Sequence, residues 1–304
     1  MSKKLWGGRF KKEIDREFFE FQKSIQYDAV LAEYDVLHSL THVEVLYQSG
    51  ILSPSEKTKL KKALERVLRE IKSGTFKPSK GSEDIHTEIQ NRVGAYVGDL
   101  VLKMHTLRSR NDQIAFDTRM YCLQAATDVC ALLYQVHQSI EKVRKDNQGR
   151  CFVGYTHTQH AQVITFDMYI TCYDRMFFRD FQRLLAYRQD MRIPIGAGAL
   201  AGTALSVNVY QKVINKTIHK DVPCVVVENP LDSVSDRDYI VEFLSALSSV
   251  QMHLSRFAED MILYSTKEYG LIDLPEEFCT GSSLMPHKKN PDFLELVRGY
   301  TGRI

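Results

Sequence analysis

Three short polar clusters carry the side chains best suited to chemistry. The first is His105-Thr106-Leu107-Arg108-Ser109-Arg110-Asn111-Asp112-Gln113. Two guanidinium forks, a hydroxyl and an amide at the start of a helix suit a carboxylate or phosphate, because free N–H groups and the helix dipole add to the arginine charge. The same residues also suit a well-capped helix with solvated charges. The second, Gly154-Tyr155-Thr156-His157-Thr158-Gln159-His160-Ala161-Gln162, holds two histidines. They are either an acid/base pair, histidine being the side chain that titrates near neutral pH unaided, or loop histidines bonded to backbone. Their spacing of three also occurs in metal sites, but no acidic or third histidine ligand lies near them in the sequence.

The third cluster runs Cys279-Thr280-Gly281-Ser282-Ser283-Leu284-Met285-Pro286-His287-Lys288-Lys289-Asn290-Pro291-Asp292. A serine flanked by lysines and main-chain N–H groups can have its alkoxide stabilised, which suits removal of a proton from carbon beside a carboxylate. The alternative is a mobile surface loop of small residues. It is neither a Walker loop nor a nucleophile elbow, since the Gly-Lys-Ser/Thr and GxSxG patterns are missing.

Long helices must hold these clusters. No Gly or Pro occurs from 109 to 147, and Cys122, Ala126, Val129, Leu133, Val136 and Ile140 recur at helical spacing. A second uninterrupted stretch covers 235–269, with Ser235 and Asp238 at capping-box spacing and Gly270 as the stop. A third covers 164–191, with Pro194 ending it. Helices of this length bury their stripes against one another, which predicts an elongated bundle. Ahead of it, Ser53-Pro54-Ser55-Glu56 predicts a capped helix over 54–73 that stops at Gly74, with further helices over 27–48 and 84–102. The best strand run, 223–227, stands alone.

The expected fold is therefore all-α, with a small N-terminal helical domain (1–108) and a central long-helix bundle (109–304). Asn290-Pro291-Asp292 predicts one more helix, with Asn290 as cap, whose apolar stripe is still running near Ile304. That pattern predicts a bundle continued in a longer protein.

Composition limits the remaining classes. In 304 residues, 40 Lys and Arg balance 38 Asp and Glu, so no global field draws the chain to nucleic acid or an anionic membrane. No apolar run is long enough for a membrane span and no signal core follows Met1, so a cytoplasmic protein is expected. The six cysteines are scattered without CxxC or zinc spacing. They read as small core hydrophobes, and no structural metal is expected.

Taken in order, the clusters resemble the fumarase/aspartase superfamily of homotetrameric lyases, whose signature loop reads GSSxMPxKxNP. Leu5-Trp6-Gly7-Gly8-Arg9-Phe10, Glu83-Asp84-Ile85-His86-Thr87, Arg108 to Gln113, Gly154 to His157 and Lys288 to Asp292 are similar to the argininosuccinate lyase family within it. The resemblance implies reversible elimination of fumarate from argininosuccinate to give arginine, in arginine biosynthesis, with no cofactor or metal. It implies Ser282 as the base, His157 as its acid/base partner oriented by Glu295, and Lys288 and Asn290 stabilising the aci-carboxylate. Ser24, Ser109, Arg110, Asn111 and Thr156 would hold substrate carboxylates, with His86 close by. Active sites shared among chains of a homotetramer, and a C-terminal domain beyond the bundle, are implied only by the same resemblance.

The chain departs from the family at three positions: Leu107 replaces a glycine, so a displaced backbone is expected there, while His160 and Val163 replace Arg and Pro. Other readings are a non-catalytic structural paralogue of the crystallin kind and another superfamily lyase, acting on adenylosuccinate or aspartate.

Overall fold

The structure is a computed structural model that describes residues 14–79 and 81–303. The Leu5 to Phe10 motif lies outside the described residues. Eleven helices and four short strands follow in order among the described residues: α1 (Arg16–Gln22), α2 (Ile25–Asp28), α3 (Ala32–Gln48), α4 (Pro54–Lys72), α5 (Ile85–Val97), α6 (Arg110–Asp146), β1 (Cys151–Thr156), β2 (Gln159–Thr165), α7 (Phe166–Asp190), β3 (Ile193–Ile195), α8 (Val207–Thr217), β4 (Cys224–Val226), α9 (Pro230–Ser235), α10 (Asp238–Tyr264) and α11 (Asp292–Gly299). A 3₁₀ segment, Gly98–His105, leads into α6. The fold is all-α, with two small two-stranded sheets. No helix of the described residues is long and apolar enough to cross a membrane.

The chain forms two compact units, residues 1–123 with 191–237, and residues 124–190 with 238–304. They divide it at other places than residue 108, because the second half of the first unit arrives only after α7.

In the first unit, Val36, Val43, Leu46, Leu60, Leu64, Ile85, Ile89 and Met104 from α3, α4, α5 and the 3₁₀ segment form one core. Each such side chain stabilises the unit by about 1.5–3 kcal/mol through burial. The boundaries of α4 follow its sequence signals. Ser53 and Glu56 exchange both capping-box bonds, Pro54 fills the first turn and Gly74 stops the chain at φ 70°.

In the second unit, α7 and α10 pair along their lengths. Tyr169 reaches Asp260 (3.0 Å), Tyr173 meets Phe257 (5.1 Å between rings), Asp180 accepts from His253 (2.7 Å) and Tyr187 stacks on Phe243 (5.6 Å). One set of numbers rises as the other falls, so the helices are antiparallel.

Several expected elements differ. The stretch 235–269 is helical only over 238–264, because Ser235 ends a short α9 capped by Asn229 and Asp236 after it is extended (φ −92°, ψ 153°). α10 ends at Tyr264, and Gly270 (φ 57°) closes the turn after it rather than the helix. α7 starts at Phe166, since Ile164 and Thr165 pair in β2. Pro194 stands in β3, which pairs in parallel with β4, so the 223–227 run is not alone. The expected cap at Asn290 is not made: its backbone is tied to Thr280 in an isolated bridge, and after Gly299 the helix tightens to 3₁₀ geometry. Of the six free cysteines only Cys122 and Cys130 are buried, while Cys151 and Cys172 are exposed.

Candidate active site

The first unit gathers several predicted site residues around the N-terminus of α5. Asp84 caps that helix through the Thr87 N–H (2.8 Å) and also pairs with the Arg110 guanidinium, which reaches Thr87 Oγ1 as well (3.2 Å). Asp28 accepts from Ser24 Oγ (2.6 Å) and from the Ile85 N–H (3.1 Å). Burial pushes its carboxyl above the usual range, against the pull of those two bonds. Ser24, through Asp28, and Arg110, through Asp84 and Thr87, are thus both tied to the first turn of α5.

Asn111, exposed, donates to Ala199 O (3.0 Å), and Ser109 Oγ accepts from the Asn111 N–H (3.3 Å). The loop that receives Asn111 also holds Asp112, which accepts from the Gly198 N–H (3.3 Å). Gly198 sits at φ 59°, and a Cβ there would lie 2.5 Å from Gly202 O, so no other residue fits. Burial raises Asp112 to about 6, tempered by Arg108 and the loop amides. Leu107 keeps φ 59°. The backbone expected to shift at this departure instead holds a left-handed conformation, at a strain of about 1–2 kcal/mol.

His86 lies elsewhere. It is 3% exposed, with Nδ1 2.5 Å from Asp35 Oδ2 and 3.6 Å from Asp117 Oδ2. These three residues bring a donor atom each within 4.8 Å of one another. Two ligands of one small divalent ion, each about 2.1 Å from it, stand roughly 3 Å or more apart. The shorter His86–Asp35 separation is that of a proton-bridged pair, and the Arg108 charge already opposes a second cation. The trio fits a hydrogen-bonded cluster better than a metal centre.

The cluster was not singled out from the sequence, although a signal existed. Asp35, His38, Ser39 and His42 follow i, i+3, i+4, i+7 spacing on α3 and all are buried. The inward stripe of this helix is polar.

In the second unit the histidine cluster is a β-hairpin, not a loop before a helix. Thr156 pairs with Gln159, and the two-residue turn His157-Thr158 has φ 52° and 57° at its centre. Positive φ at both positions matches the twist of a tight hairpin. It leaves His157 exposed at the tip, while His160 turns back to Tyr155 OH (3.1 Å), its cross-strand partner. The two histidines are therefore not joined to each other.

The third cluster is a loop closed at its neck by paired main-chain bonds between Thr280 and Asn290 (3.1 and 2.8 Å). Inside it, Ser282 Oγ accepts from the Leu284 N–H (3.3 Å) and the Met285 N–H (3.1 Å). Lys289 is held by Asp273 (2.9 Å), whereas Lys288 has no ion-pair partner among the described residues. Glu295 is exposed on the first turn of α11, and no hydrogen bond joins it to His157 among the described residues. A cavity of about 990 Å³, lined by Leu132, Val136, Ile140, Phe152, Phe257 and Met261 among others, contains none of the predicted catalytic side chains.

A family model described as a lyase matches residues 8–304, and the chain belongs to that family. It is 42% identical over 302 residues to the argininosuccinate lyase of Carboxydothermus hydrogenoformans, covering 99% of this chain and 65% of the relative. To the argininosuccinate lyase of Caldanaerobacter subterraneus subsp. tengcongensis it is 40% identical over 302 residues, covering 99% and 67%. The chain spans about two thirds of the length of these curated relatives. Among solved structures, it resembles an EDDS lyase in complex with formate (TM-score 0.78, 24% identity, 93% of this chain and 55% of that one). It also resembles a fumarate lyase:delta crystallin from Brucella melitensis bound to cobalt (TM-score 0.73, 17% identity, 91% and 65%). These two likenesses concern the fold alone.

Proposed function

We propose that this chain carries the elimination chemistry of an argininosuccinate lyase, releasing fumarate and leaving arginine. The observation that carries the reading is the Ser282 oxygen, held by two main-chain N–H groups in a loop with an unpaired Lys288. Those donors favour an alkoxide over a hydroxyl, as a base for a weakly acidic C–H requires. Ser282 takes the Cβ proton. The Cα–N bond then breaks, its electron pair goes to the guanidino nitrogen, and His157 delivers a proton there. Lys288 and Asn290 stabilise the dianion formed as the proton leaves, and Glu295 orients His157. Ser24, Ser109, Arg110, Asn111 and Thr156 hold the carboxylates, with His86 behind them. The substrate class comes from the argininosuccinate lyases that the chain is similar to.

The same reading takes the working protein as a cytoplasmic homotetramer whose sites are shared among chains, needing no metal or cofactor. The test uses the protein with any in-frame continuation past residue 304, followed by fumarate absorbance in the presence of a chelator. Ser282→Ala lowers kcat by several orders of magnitude with little change in KM, and Ser283→Ala is milder. The reverse order means the wrong serine, and turnover of adenylosuccinate but not argininosuccinate overturns the assignment. Light scattering on both lengths tests the tetramer.

A further inference from the structure

Beneath residues 108–113 one buried carboxylate ties together three separate parts of the first unit. Asp35, on α3, accepts from His86 Nδ1 at the start of α5 (2.5 Å), from Gln113 Nε2 on α6 (2.9 Å) and from Ser39 Oγ (3.4 Å). Ser39 in turn accepts from Arg108 Nη1 (3.0 Å). Asp117, equally buried and one helical turn beyond Gln113, has no donor on either oxygen. Its neighbours are Asp35 and the same His86 nitrogen, which is already committed. Asp35, Asp112 and Asp117 thus share the field of one buried guanidinium, that of Arg108, and a charge on the donorless Asp117 is the costliest of the three to keep.

We propose that Asp35 is a positioning residue of this site, an ionised carboxylate that fixes the His86 ring and the 108–113 segment, while Asp117 stands beside it as a neutral acid. The link to substrate rests on the function proposed above, since Arg110 and Asn111 are the residues so held. With Nδ1–H given to Asp35, His86 presents Nε2 as a bare acceptor. Burial works against the Asp35 charge, but the hydrogen bond from His86 and the charge of Arg108 outweigh it and hold the group below the ordinary carboxylate range. Burial, then the Asp35 charge, push Asp117 well above the usual carboxylate range.

The proposal makes the two aspartates unequal. Asp117→Asn replaces a protonated acid by its amide isostere, so the melting temperature and the His86 ring state should barely move. Asp35→Asn takes from the buried Arg108 the first of the carboxylates that offset its charge and frees the His86 tautomer. In the continued protein it should lower kcat/KM for argininosuccinate by about 100-fold, the scale of a small misplacement of binding groups, with Asp35→Glu recovering part of it. ¹⁵N-histidine-labelled wild-type protein gives a second measurement that does not depend on any aspartate variant folding. At neutral pH the His86 signals, assigned by difference from His86→Gln, should show Nδ1 protonated and Nε2 bare. Equal losses in both aspartate variants, a larger loss in Asp117→Asn, or a His86 ring protonated at Nε2 would overturn the proposal. Absence of turnover in the wild type instead rejects the function reading, and leaves the stability asymmetry and the ring tautomer to decide this one.

Discussion

Acidification from pH 7 to pH 5 should weaken the first unit by about 2–3 kcal/mol, well before most carboxylates titrate. Burial, helped by the Arg108 charge, holds His42 and His105 at about 3, against 6.5 in an unfolded chain. Below 6.5 the unfolded chain takes up protons that the folded unit cannot accept, so stability falls as the pH falls. Over this interval each histidine removes about 2 kcal/mol, from 1.36 kcal/mol per unit over the roughly 1.5 units below 6.5. Asp112 acts in the opposite sense. Its folded value of about 6 lies above the ordinary 3.8, so protonation on acidification returns about 1.3 kcal/mol. His38, buried and pushed down with the other histidines, adds to the loss, so that about 2–3 kcal/mol is its lower bound, while Asp117, protonated in the folded unit at both pH values, takes no part. Urea unfolding followed by far-UV circular dichroism at the two pH values, at fixed ionic strength, measures the difference. Equal or greater stability at pH 5 would refute the claim that these histidines are buried uncharged.

Ser53→Ala removes one half of the capping box on α4 and should lower stability by about 1 kcal/mol in the same urea assay. Leu107→Gly should raise it by about 0.5–1 kcal/mol, because relief of the φ 59° strain exceeds the added freedom of the unfolded chain. Asp180→Ala leaves the buried His253 Nδ1 and one Arg183 donor without their acceptor. A loss of about 2–4 kcal/mol is expected, read as a fall in the urea midpoint.

The long helices were legible because nothing interrupts their 3.6-residue period, and α4 was legible to its caps because Ser53, Pro54 and Gly74 each have one dominant local use. The hairpin of β1 and β2 was hidden for a local reason as well. Its turn is His157-Thr158, where Asn-Gly would have announced it, and β2 opens on Gln159-His160-Ala161-Gln162, which has no apolar alternation to mark a strand. β3 was masked by Pro194, which reads as a helix stop but sits comfortably in a short strand. The three chemical clusters were visible as residue types, and the Ser282 loop kept the arrangement of serine and main-chain N–H groups expected of it. The Asp35 network was not read, since a hydrophobicity pattern finds buried helix faces only when they are apolar. The ring of His86 bonds to an aspartate from a different helix, a pairing that no local signal encodes.

The first unit is interleaved with the second along the chain, and this bears on the order of events during synthesis. Residues 1–123 leave the ribosome well before 191–237, which bring the buried Ile193, Ile195, Tyr210, Val213 and Ile214. Until they arrive, Asp112 lacks the glycine-loop amides that receive it, and the face of α3 that meets α8 stays bare. The nascent chain must carry this unfinished surface through the translation of residues 124–190, an interval of several seconds or more at about 5–20 residues per second. A pause or a premature stop within α7 would strand the unit in that state, with apolar surface open to holding chaperones. Shortening the chain there removes the piece that closes a unit whose other parts were made more than sixty residues earlier.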